Sequence, residues 1–363
     1  MKRRLLLVFL VLYVTVLVEA DSGFVKTRGV QLMLNGSPYY ANGFNAYWLM
    51  YIASDPSQRN KVSSAFQEAS NHGLNIARTW AFSDGGYNPL QYSPGSYNEQ
   101  MFQYKCCFPF FNSVCWIGAV LTRRNSLSGV AYKDDPTIMA WELMNEVRCP
   151  SDQSGKTVQA WITEMASYVK SIDGNHLLEA GLEGFYGQSK PESNPNFNVG
   201  TDFIANNQIP GIDFATVHSY PDQWLSSSGY EDQISFLERW LNEHIQDAQN
   251  TLHKPLLFAE FGISTKTFGG SSTPRDRLFN TVYSAIYSSA SSGGAAVGGL
   301  FWQLLAQGMD SFRDGYEVVL GESPSTATLI AQESQKLNRI RKMYARLRNI
   351  EKWNRAMEIR GGN

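Results

Sequence analysis

The chain has 363 residues, of which 31 are basic and 33 acidic, and it is 43% hydrophobic and 13% aromatic. A formal net charge of -2 gives no general electrostatic attraction to nucleic acid or to an acidic membrane surface. The apolar content is enough to bury a large core, and the length suits a single large α/β domain.

At the N-terminus Lys2, Arg3 and Arg4 precede an apolar run from Leu5 to Val18, and Val18-Glu19-Ala20 offers a small-residue cleavage site. This pattern reads as a signal peptide over residues 1–20. The run is shorter than the ~20 apolar residues that span a bilayer, so the expected product is secreted, extracellular and free of the membrane after cleavage. Residues 21–363 remain as one domain. Three of the four cysteines, Cys106, Cys107 and Cys115, crowd together while Cys149 stands alone. That spacing matches no zinc site and assigns no disulfide. Asn35-Gly36-Ser37 is a glycosylation sequon, disfavoured by Pro38.

Strand-like runs then alternate with helical patterns. Asp55-Pro56 opens a predicted helix with Val62, Phe66 and Ala69 on one face, and Gly73 stops it. The run from Leu74 to Trp80 is a strand, and Thr137 to Met144 is another. The next helix places Val158, Ile162, Met165, Val169 and Ile172 at helical spacing. Short strands follow at His176 to Ala180 and Ile212 to Val217, then a helix bearing Ile234, Leu237, Leu241 and Ile245. Pro255 to Ala259 is a strand, and a helix runs from Thr273-Pro274 to Gly293-Gly294. Leu300-Phe301-Trp302 closes the strand series. A last helix turns Ile340, Tyr344 and Leu347 inward, and its basic outer face, Lys336 through Arg360, reads as a solvated surface. Alternation of this kind implies parallel strands with right-handed crossovers, and the number of units predicts an α/β fold of the (β/α)8 TIM-barrel type. No glycine-rich loop follows a strand, which argues against a nucleotide fold.

Active sites of such barrels form where strands end. The residues at the predicted strand ends are Arg78 and Trp80, Asn145 and Glu146, His218 and Tyr220, Glu260, and Trp302. Each has an ordinary structural explanation alone. Glu146 could serve as a charge at a helix start, Glu260 as a paired buried acid, His218 as a core histidine and Trp302 as packing. Together they make the inventory for breaking a glycosidic bond. One carboxylic acid protonates the leaving oxygen while a second carboxylate meets the anomeric carbon. An arginine beside a carboxylate keeps it ionised, and aromatic faces suit pyranose rings.

Several long runs carry a family resemblance. They are Ala41-Asn42-Gly43-Phe44-Asn45, Asn75 through Phe82, Trp141-Glu142-Leu143-Met144-Asn145-Glu146, Leu182 through Gly187, Val217 through Asp222, Ala259-Glu260-Phe261-Gly262 and Phe301-Trp302-Gln303. They resemble the plant endo-1,4-β-mannanases of glycoside hydrolase family 5 over residues 24–103 and 119–350. The resemblance implies a retaining hydrolase in which Glu146 is the acid/base and Glu260 the nucleophile. It assigns Asn145 to the sugar 2-hydroxyl, Arg78 to steadying the nucleophile, and His218 and Tyr220 to the cleaved bond. Trp302 becomes the platform under the reacting sugar and Trp80 a further contact. It implies no metal or organic cofactor. The implied substrate is β-mannan, including galactomannan and glucomannan of plant cell walls, with no nucleic-acid partner.

Two departures stand out. Val147 follows Glu146 where the family usually has proline. More seriously, residues 104–118, Tyr104 through Gly118, replace a much longer family segment holding the third strand and its flanking helices. The barrel is therefore expected to be incomplete around its third β/α unit, with Ser113 to Leu121 as a makeshift strand. This gap supports competing readings: a non-catalytic mannan-binding wall protein, or a misfolded product. A related barrel acting on cellulose shares the carboxylates but not the chain-wide resemblance.

Overall fold

The computed structural model describes residues 23–80, 89, 91–93, 96–98, 114–195 and 199–361. The signal-peptide reading and residues 104–113 of the atypical stretch lie outside the described residues. A small antiparallel sheet, β1 (Lys26–Arg28), β2 (Gln31–Leu34) and β3 (Ser37–Pro38), leads into β4 (Ala41–Asn45). Then come α1 (Leu49–Ser54), α2 (Arg59–Asn71), β5 (Ile76–Arg78) and a short hairpin of β6 (Gln91–Ser93) and β7 (Ser96–Tyr97). The chain continues through α3 (Val114–Thr122), β8 (Ala140–Glu142), α4 (Lys156–Ile172), β9 (Leu177–Glu179), α5 (Phe203–Asn207) and β10 (Ala215–Ser219). It ends with α6 (Pro221–Trp224), α7 (Tyr230–Asp247), β11 (Leu256–Phe261), α8 (Thr273–Ser291), β12 (Ala296–Phe301) and α9 (Pro324–Gly361).

The barrel strands run parallel in the order β10-β11-β12-β4-β5, with β8 paired to β9. Between β9 and β10 the contact is irregular: Asp213 donates its N–H to the Leu178 carbonyl at 2.8 Å, and the Thr216 hydroxyl reaches Glu179 at 2.9 Å. Seven positions around an eight-stranded circuit are thus filled. The third, between β5 and β8, holds no strand among the described residues. In its place is a cavity of about 800 Å³, lined by consecutive residues on both sides, 76–79 and 139–142.

Helical faces form the outer wall as their spacing predicts. Val158, Ile162, Met165 and Val169 of α4 are buried, as are Ile234, Leu237 and Leu241 of α7. Pro274 stands in the first turn of α8 with Asp276 beside it, and the chain turns away at Gly293 with φ 74°. In β12, Gly298 is required: a Cβ there would meet the Ala41 carbonyl oxygen at 1.9 Å, so β12 and β4 approach only because the side chain is missing.

Several expectations are corrected. The apolar stretch expected as a makeshift strand is helix α3, because Ile117, Val120 and Leu121 recur at helical spacing and pack with Val158 and Ile162 of α4. The strand expected from Thr137 to Met144 is only Ala140–Glu142, and the one expected at Ile212 to Val217 begins at Ala215. The first long helix starts at Arg59, past the Asp55-Pro56 signal, since Asp55 folds back on Ser57 and Gln58. Phe66 is 44% exposed because it looks into the open third position, and Leu347 is 49% exposed near the far end of α9. Among the described residues no helix is long and apolar enough to cross a membrane.

Glu333 of α9 sits under the barrel wall, 1% exposed, and neither carboxylate oxygen has a hydrogen-bond partner. Burial pushes its carboxyl up to about 7 from 4.5, opposed only in part by Lys336 3.8 Å away. The folded state holds this proton more tightly than the unfolded state. Its stabilising contribution is therefore full below pH 4.5 and is lost as pH rises through about 7. The expected loss across that window is about 3 kcal/mol. Chemical denaturation on either side of it should show this fall for the native chain and little of it for Glu333→Gln. An equal fall in both proteins would contradict the assignment.

Candidate active site

Arg78, the last residue of β5, organises the upper end of the barrel. Its guanidinium grips Glu142 with Nε and Nη2 at 2.5 and 2.6 Å, and reaches Glu260 from Nη1 at 2.5 Å. It also donates to the side-chain oxygens of Asn45 at 2.8 Å and Asn145 at 2.6 Å. Asn45 is fixed in turn by donating to the Ala259 carbonyl at 2.8 Å. The guanidinium lies over the Trp80 ring, 4.7 Å from its centroid. Burial works against the charge of Arg78, but Glu142 and Glu260 outweigh it and hold the group firmly cationic.

Glu260 lies near the end of β11 in register with His218 of β10, where a bulge between Val217 and His218 re-aims the chain. One Glu260 oxygen takes the Arg78 bond, and the other accepts from the Tyr220 hydroxyl at 2.6 Å. Burial and the neighbouring Glu260 charge push the Tyr220 phenol well above its ordinary value, so it stays a donor.

Glu146 does not end a strand, as expected, but lies four residues past β8. Its N–H donates to the Gly181 carbonyl at 2.8 Å, and its φ of 53° is left-handed, a conformation that non-glycine residues hold mainly where the surroundings impose it. Its carboxylate accepts from His218 Nδ1 at 2.7 Å and lies 4.0 Å from Arg148. Burial raises this carboxyl, but the His218 hydrogen bond and the nearby cations more than offset it and leave it below its ordinary value. His218 is fully buried; desolvation opposes its charge, while Glu260 and Glu146 raise its affinity for a proton. The proton of this site therefore belongs to the His218–Glu146 pair.

Glu146, His218 and Glu260 place one donor atom each within 4.8 Å of one another. Such a triangle has the dimensions for a shared cation, but its oxygens are already engaged by His218, Arg78 and Tyr220. It brings two carboxylates within 4.8 Å, close to the ~5–5.5 Å separation of retaining glycosidases and far below the ~6.5–9.5 Å of inverting ones.

One wall is aromatic. Trp302, just past β12, stacks on Tyr47 at 5.7 Å and meets Trp80 edge-on at 5.5 Å. Its indole N–H donates to Asp314 at 2.8 Å, and the ring remains partly exposed. Tyr220 is only 6% exposed, so it faces Glu260 more than solvent.

All eight residues singled out from the sequence converge here. Several partners were not foreseen. Glu142 had a readable signal, a carboxylate inside an apolar barrel strand. Burial alone would raise it, but Arg78 holds it ionised, while Glu179 beside it is driven well above its ordinary value by burial and by the Glu142 charge. The Arg148–Glu183 pair had no local signal, since its members lie 35 residues apart and meet only in the fold.

The family profile described as "GH family 5 beta-mannosidase-like" matches residues 110–327. Mannan endo-1,4-beta-mannosidase 7 of Arabidopsis thaliana is 58% identical over 389 aligned positions, which take in 93% of this chain and 90% of the relative. Mannan endo-1,4-beta-mannosidase 1 of Oryza sativa subsp. japonica is 54% identical, over 91% of this chain and 89% of its own. Among solved structures, the endo-1,4-beta-mannanase from Rhizomucor miehei superposes with a TM-score of 0.69 at 28% identity, over 86% of this chain and 99% of its own. The Arabidopsis alignment is longer than the present chain. That relative therefore carries a substantial segment without a counterpart here.

Proposed function

Because this chain belongs to the β-mannosidase-like members of glycoside hydrolase family 5, we propose that it hydrolyses internal β-1,4-mannosidic bonds of mannan, galactomannan and glucomannan with retention of configuration. The observation that carries this reading is the pair of carboxylates within 4.8 Å in one cleft, each with different partners. Glu260 is the nucleophile: Arg78 holds one oxygen and Tyr220 orients the other toward an anomeric carbon. Glu146 is the acid/base. It gives its proton to the departing sugar oxygen, then takes one from the water that releases the glycosyl-enzyme. His218 holds Glu146 in place and shares its proton. Asn145, tied to Arg78, is placed for the sugar 2-hydroxyl, and Trp302 and Trp80 give the pyranose an apolar floor. Because the surroundings hold Glu146 below its ordinary value, its acid form is scarce at neutral pH, and turnover should rise as the pH falls from neutral toward the carboxylate range.

In this reading Glu260→Gln abolishes release of reducing sugar from mannan, since Gln keeps the shape but cannot form the glycosyl bond, while the protein still folds with a lowered melting temperature because Arg78 loses a charged partner. Activity that survives the substitution would overturn the nucleophile assignment. A native chain that binds mannan without cleaving it would favour the alternative of a non-catalytic wall protein, which the open third position motivates.

We also infer secretion to the cell wall, supported by the basic start and apolar run of residues 1–20. N-terminal sequencing of protein collected from the medium should begin at Asp21. Retention inside the cell with Met1 in place would contradict it.

A further inference from the structure

The last helix carries charge that the cleft does not use. Residues 336–360 hold nine basic and two acidic side chains, which leaves 22 basic and 31 acidic residues for the rest of the chain. The near-neutral total therefore conceals a basic helix on an acidic body.

Helix α9 buries Ile330, Leu337 and Ile340 in the barrel core. At about 100° per residue, Arg339, Lys342 and Arg346 fall within an arc of about 60° on the opposite side, in a row about 10 Å long. All three are exposed, and among the described residues none of them is in an ion pair. Further along, Arg348 ties the helix to the turn between β2 and β3 by donating to the Asn35 carbonyl at 3.2 Å. The row is thus held in place, yet it neutralises no charge within the fold. Like charges three and four positions apart repel along a helix, so an anion laid on the row relieves a repulsion already present.

We propose that this face of α9 binds an acidic polysaccharide, a polymer whose sugars carry carboxylates. Guanidinium groups match carboxylates in both geometry and charge. A single polymer strand can lie along the row and touch little of the acidic body. Met343 and Ile350, 46% and 55% exposed, stand next to the row and give the sugar rings an apolar contact. An anionic membrane is a poorer match, because its continuous negative plane also meets the acidic body. The apolar side of α9 that would enter such a membrane is already packed on the barrel. The attachment shares no residue with the cleft and goes beyond hydrolysis of neutral mannan. It rests on the secretion reading only for where such a polymer would be met.

The probe is fluorescently labelled polygalacturonate, titrated with the full-length protein at low salt and followed by anisotropy. Saturable binding is expected, at least about tenfold weaker when salt rises from about 50 to about 200 mM. The combined Arg339→Gln, Lys342→Gln and Arg346→Gln variant should bind at least about tenfold more weakly, whereas Arg339→Lys with Arg346→Lys keeps the charge and should stay within about threefold of the native chain. Removing the same charge from exposed Arg28, Arg239 and Lys266 should change binding by less than about twofold. Absence of binding would overturn the proposal, as would equal binding of the fully methyl-esterified polymer or an equal loss in the control variant. Tighter binding to phosphatidylserine vesicles than to the polymer would overturn it in favour of a membrane. None of these readouts depends on turnover or on location, so failure of the mannanase or secretion reading leaves them interpretable.

Discussion

One guanidinium ties the molecule's chemistry to its scaffold. Arg78 stands at the end of β5 and reaches Glu142 on β8, with no strand between the two among the described residues. The same group holds Glu260 and the side chains of Asn45 and Asn145. Arg78 and Glu142 are each 11% exposed and Glu260 only 4%. Removing one partner from such a buried set leaves charge uncompensated, typically at 3–5 kcal/mol. The ion pair thus joins β5 to β8, two strands that have no strand between them among the described residues.

Every side chain described at the site comes from elsewhere than the third unit: from β4, β5, the loop after β8, β10, β11 and β12 and the segments just past them. Among the described residues no strand lies between β5 and β8, and a cavity of about 800 Å³ stands there.

Much of this was legible in the sequence. Helices α4, α7 and α8 are strongly periodic and bounded by proline and glycine signals, so their positions follow from local chemistry alone. The glutamates, Arg78, His218 and Trp302 could be picked out because, although each has an ordinary explanation alone, together at strand ends they make the inventory for breaking a glycosidic bond. What was not legible depends on tertiary contact. The stretch 114–122 is apolar enough for either strand or helix, and packing against α4 decided for helix. Glu146 reaches the cleft through a left-handed turn locked to Gly181, which no periodicity reveals. That the Tyr220 hydroxyl donates to Glu260 from a buried position is likewise a tertiary contact that no local pattern reveals. Resemblance to a family supplied roles that spacing alone left open.

The most direct test is to trap the glycosyl-enzyme. Incubation of the protein with a 2-deoxy-2-fluoro-β-mannosyl fluoride, followed by proteolysis and mass spectrometry, should find one sugar attached to the peptide containing Glu260, with fragmentation placing it on that side chain. The Arg78 and Tyr220 bonds orient Glu260 for this attack, and the trap accumulates even when turnover is slow. A label on Glu146, or none on a protein that hydrolyses mannan with inversion, would contradict it.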